Sequence, residues 1–120
     1  MKVFDRVLGW LLVVSGLLHA LGSWTAYRNS PPVLVWALSG SLAALLLAAL
    51  NLLRAGRPRD LSLAWICLGG CVAWIVVSVS FGRVIGNLLD PRPLIHASIA
   101  VLLAGMSVRT LQRATRSVAA

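Results

Sequence analysis

The chain has 120 residues, of which 59% are hydrophobic and 12% charged, with a mean hydropathy of +0.89. A water-soluble domain carries roughly a quarter charged residues, so this composition excludes a soluble globule and makes lipid the solvent for most of the chain. Eleven Lys and Arg against three acids give a net charge of +8. The basic residues sit in the gaps between apolar runs, where they set topology and meet anionic headgroups. No basic amphipathic element or aromatic-basic platform accompanies them, which argues against nucleic acid as a partner.

Lys2 and Arg6 open the chain, and residues 7–27 then carry no charge, about the length of one spanning helix. Lys2 and Arg6, the apolar core and then Ala20-Leu21-Gly22 resemble a signal peptide with a small-residue cleavage site. The run continues past them, which favours a retained span. Arg28-Asn29-Ser30-Pro31-Pro32 is a turn whose prolines end one helix and can start the next. Residues 33–53 form a second uncharged run, followed by the basic segment Arg54 to Asp60, punctuated by Gly56 and Pro58. Residues 61–82 form the third run. The connector from Arg83 to Arg92 holds Gly86, Asn87, Asp90 and Pro91, and residues 93–111 form a fourth, shorter span. That span reaches across a bilayer if Arg109 snorkels. The tail is polar, with Arg113 and Arg116.

The pattern predicts an all-α polytopic membrane protein, a four-transmembrane-helix up-down bundle in one domain over residues 1–120. Lys2, Arg6, Arg54, Arg57, Arg59, Arg109, Arg113 and Arg116 fall on one side, and Arg28, Arg83 and Arg92 on the other. The positive-inside rule then predicts a multi-pass protein of the plasma (inner) membrane with both termini cytoplasmic.

Small residues recur on the spans: Gly9, Gly16 and Ala20; Ala37, Ser41, Ala44 and Ala48, ending at Asn51; Gly69-Gly70; Ala97, Ala100 and Ala104. Lipid gives helices no hydrophobic drive to associate, so such stripes permit the close packing that must replace it. A leftover small face would suit a homo-oligomer or a membrane-protein partner. Trp10 and Trp65 mark the inner interface, and Trp24 and Trp36 the outer one. Trp74 lies deeper. Cys67 and Cys71 share one helical face, a poor geometry for a bridge, and read as small packing residues.

Polar side chains at membrane depth are the candidate site. Ser15, His19 and Ser23 share one face of the first span, and His96 lies one turn into the fourth. Both histidines therefore fall in the outer half of the bilayer. Arg83 and Asp90 in the outer connector would rim a pocket above them. A polar rim over an apolar cavity suits a hydrophobic or amphiphilic small molecule, such as a lipid or quinone. The alternatives are a haem held axially by His19 or His96, in a haem-binding protein or isomerase-like enzyme, and an accessory subunit of a larger membrane complex. Membrane lipids are the one partner implied throughout. No carboxylate lies within an uncharged run, and no Walker loop, dinucleotide fingerprint, zinc pattern or C-x-x-C pair occurs. Size and helix count resemble the small multidrug transporters, but their membrane-embedded glutamate has no counterpart here.

Overall fold

Each uncharged run lies inside one helix of the computed structural model, which describes residues 2–118 and side chains as far as residue 115. The order is α1 (Lys2–Tyr27), α2 (Pro31–Gly56), α3 (Leu61–Val84) and α4 (Pro91–Val118). All four are long and apolar enough to cross a membrane, and no strand occurs among the described residues. The protein is thus an all-helical, four-helix membrane protein, 59 Å long and 24 by 22 Å across. Met1, Ala119, Ala120 and the side chain of Arg116, counted above in the charge bias, lie outside the described residues.

The helices run past the uncharged segments, and their ends follow local chemistry. Pro31 occupies the first turn of α2, where a missing N–H costs nothing. Asp60 caps α3, its carboxylate accepting from Leu63 N at 3.0 Å. At the end of α3, Gly86 N donates to Arg83 O and Asn87 N to Gly82 O, each at 3.0 Å. This is a Schellman cap, and it needs a left-handed residue at its pivot. Gly86, at φ +72°, supplies it. Asp90 begins α4 by accepting from Arg92 N at 2.9 Å.

The bundle is two helical hairpins laid side by side. Packing is dense within α1–α2 and within α3–α4, and sparse where α1 meets α4 and α2 meets α3. Glycine permits the first hairpin's close approach. A Cβ on Gly9 would lie 2.6 Å from Leu52 Cδ2, and one on Gly16 would lie 3.1 Å from Leu45 Cδ2. Leu8, Leu12, Leu47, Ala48, Cys71, Ile99, Ala100 and Leu103 fill the centre, drawn from all four helices.

At the end carrying both termini, the two hairpins are joined by a buried charge. Arg54 lies inside α2, 1% exposed, and not in the basic loop that its sequence context suggests. Its Nη2 donates to Asp5 Oδ1 of α1 at 2.5 Å, its Nε to Asn51 Oδ1 at 3.4 Å and its Nη1 to Thr110 Oγ1 of α4 at 3.5 Å. Asn51 in turn donates to Leu47 O and to Cys71 Sγ of α3. A buried guanidinium is tolerable only when paired and hydrogen-bonded. Here one residue from each of the other three helices contributes to that network.

Candidate functional site

The opposite, distal half of the bundle holds a second polar cluster, built around the two histidines. Ser15 and His19 lie one turn apart on α1, Ser41 faces them from α2, Trp74 comes from α3 and His96 from α4. The imidazoles of His19 and His96 meet edge to face, their centroids 5.9 Å apart. The Trp74 indole stands against His96 at 5.7 Å in a similar arrangement.

The hydrogen bonds assign a state to His96. An indole N–H can only donate, and Trp74 Nε1 donates to His96 Nδ1 at 3.3 Å. Nδ1 is therefore the acceptor nitrogen. In the neutral ring the proton then sits on Nε2, which lies 3.2 Å from Ser15 Oγ. Both nitrogens of His96 are engaged, the side chain is buried, and its partners come from α1 and α3.

His19 differs. Its Nδ1 shares a 2.8 Å hydrogen bond with Ser41 Oγ, and Ser41 Oγ also lies 3.3 Å from Ala37 O. No partner engages His19 Nε2 among the described residues. No sealed side-chain nitrogen or oxygen among them lacks a partner either. Nε2 is therefore not sealed off by its neighbours. His19 keeps one ring position for a hydrogen bond to a ligand or for coordination, whereas His96 keeps none.

The remaining sequence candidates are placed as follows. Ser23 is buried on α1 but makes no hydrogen bond to either histidine. Asp90 is half-buried at the start of α4 and pairs with Arg92, Oδ1 accepting from Nε at 2.9 Å and Oδ2 from Nη2 at 2.8 Å. That bidentate pairing holds the Asp90 carboxyl below its usual range. Arg83 is exposed in the last turn of α3 and pairs with neither Asp90 nor His96. The structure thus joins Ser15, His19 and His96, and leaves Ser23, Arg83 and Asp90 outside that cluster.

Sequence reasoning missed Ser41 and Trp74 as members of the cluster. Ser41 was legible only as one step in a small-residue stripe, and Trp74 only as a tryptophan too deep for the belt. Asp5 and Arg54 were missed as a pair because they stand forty-nine residues apart, each in a charged flank. Among the described residues, no group of three or more His, Cys, Asp or Glu is placed to hold a metal ion. Compared with protein-family models, curated proteins and solved structures, the chain matches none.

Proposed function

We propose that this membrane protein binds a hydrophobic or amphiphilic small molecule in the distal half of its bundle, with His19 as the main polar contact, and that it holds or passes on that molecule within the bilayer. The observation that carries this reading is the accessible, unpartnered Nε2 of His19. It stands in a cluster whose other members are occupied with each other. A polar atom at membrane depth without a partner is costly, and a ligand's hydroxyl removes that cost. His96, Ser15 and Trp74 serve to fix the ring edge against which such a ligand rests. With the termini in the cytoplasm of a plasma (inner) membrane, as the charge bias favours, the site opens in the outer leaflet. Arg83 and the Asp90–Arg92 pair would then lie at headgroup level above it.

Native mass spectrometry and solvent extraction of the protein purified in mild detergent test this. The expected result is a co-purifying small molecule that is lost in His19→Ala while helix content and thermal stability persist. An empty bundle that behaves identically to its His19→Ala variant overturns the reading. A visible absorption band after haem supplementation, lost in His19→Ala, would instead identify the occupant of Nε2 as haem iron.

A further inference from the structure

The sparse seam between α2 and α3 is closed by contacts over only part of its length. On α2, Leu47 and Asn51 face α3: a Cβ on Gly70 would lie 2.8 Å from Leu47 Cδ1, and Asn51 Nδ2 lies 3.6 Å from Cys71 Sγ. These contacts close the seam in the half of the bundle nearest the termini. Seven residues along a helix is close to two turns and returns to nearly the same face. Two turns from Leu47 toward the distal end stands Gly40, and two turns from Gly70 toward that end stands Val77. The contact is not repeated there. A Cβ on Gly40 would meet only His19 Cε1, at 3.8 Å, and nothing of α3. Val77 is 53% exposed. The two stripes touch in one half and not in the other, and beside Gly40 the nearest side-chain atom is His19 Cε1, which is bonded to Nε2.

The chemistry of the opening restricts what enters it. Its walls are a glycine and a valine, and its floor is His19, with Trp74 and His96 behind. None of these carries a formal charge. The nearest charged residues on α4 and its cap, Asp90 and Arg92, are paired with each other. Arg83 stands six residues beyond Val77 on α3, about 9 Å further along the helix toward the membrane surface, so an ionic head group drawn down to His19 would lose its hydration and leave that cation behind. A neutral head with one hydroxyl would satisfy Nε2, and an apolar chain would lie along the seam in the lipid.

We infer that Gly40 and Val77 frame a lateral portal through which a neutral, membrane-dissolved molecule bearing a single hydrogen-bonding head reaches His19. This rests on the ligand-binding reading above and adds the route and the class of ligand.

Photo-crosslinking in lipid nanodiscs tests it, with three diazirine probes of one chain length: a long-chain alcohol, the corresponding fatty acid at a pH where it is ionised, and the corresponding alkyltrimethylammonium. The alcohol should label residues around His19 in preference to both ions by about tenfold or more, the discrimination expected when a buried charge finds no partner. Labelling should fall to the level of His19→Ala in Gly40→Leu and in Val77→Trp, which fill the gap from opposite walls. It should persist in Gly69→Leu, where the added side chain meets open space. Should Gly40→Leu lose its fold, as judged by thermal stability, Val77→Trp decides. Strong labelling of His19's surroundings that survives both filling variants overturns the portal and leaves the binding site standing. Equal labelling by the charged probes overturns the ligand class. Labelling indistinguishable between the protein and His19→Ala overturns the binding reading itself, and the portal with it.

Discussion

Arg54 brings a full charge into a space 1% exposed, and Asp5, at 13%, is its counter-ion. Removing either partner leaves the other buried without compensation, a loss of about 3–5 kcal/mol for pairs of this kind. Asp5→Ala and Arg54→Ala are therefore each expected to lower unfolding stability in detergent by that order. The double variant Asp5→Leu/Arg54→Met, which withdraws both charges, should recover most of the loss. Chemical unfolding followed by circular dichroism measures both, and a double variant as weak as the sum of the singles would show that the pair is not the unit. Asp90 gives a contrasting case at the surface. Its carboxyl is depressed by Arg92, so the order it gives the start of α4 is fully present above the usual carboxylate range. That order is lost as pH falls through the lowered value. Protection of the Arg92 amide, measured against its intrinsic exchange rate at each pH, should fall on that acid limb and be low at all pH in Asp90→Ala, with the rest of the bundle unchanged.

Among the elements, glycines divide by what stands opposite them. Gly9 and Gly70 face Leu52 and Leu47 at distances that leave no room for a Cβ without movement, whereas Gly69 and Gly105 face open space. Gly9→Val should force α1 and α2 apart and cost about 1–3 kcal/mol, the usual range for overpacking. Gly105→Val should stay within about 0.5 kcal/mol of the parent, as surface changes do. Thermal unfolding of the two side by side reads the difference. The contrast also shows how far a sequence speaks at this scale. The uncharged runs identified all four helices, because length and hydropathy alone decide what enters a bilayer. The small-residue stripes at Gly9, Gly16, Ala44 and Ala48 pointed to real packing faces. Gly69 and Gly70 were indistinguishable as letters, and only the neighbour's register makes one a contact and the other a lipid-facing position. The same holds for the site. His19, Ser15 and His96 stood out as polar residues in oil. Ser41 and Trp74 became partners only once α2 and α3 were rotated into place, and rotation about a helix axis leaves no mark in a run that is apolar on every side.

For the whole molecule, the arrangement is two tight hairpins held across a sparse seam by a polar cluster at each end, one around Arg54 and one around His96. Eight of the eleven basic residues are expected on the terminal side, so reporter tags on the N- and C-termini should both report the cytoplasm. Tags on opposite faces would contradict the topology outright. The orientation is an expectation from arginines counted loop by loop, and the tags test it. The seam was not legible, since nothing in the composition says which neighbouring helices pack closely and which only touch. The Asp5–Arg54 pair also bears on how the chain is made. Translation delivers Asp5 dozens of peptide bonds ahead of Arg54, so the carboxylate cannot be neutralised by its final partner until nearly all of α2 has left the ribosome. The start of α1 therefore gains its counter-ion only after α2 has been made, so this contact is expected to be the last to form within the hairpin.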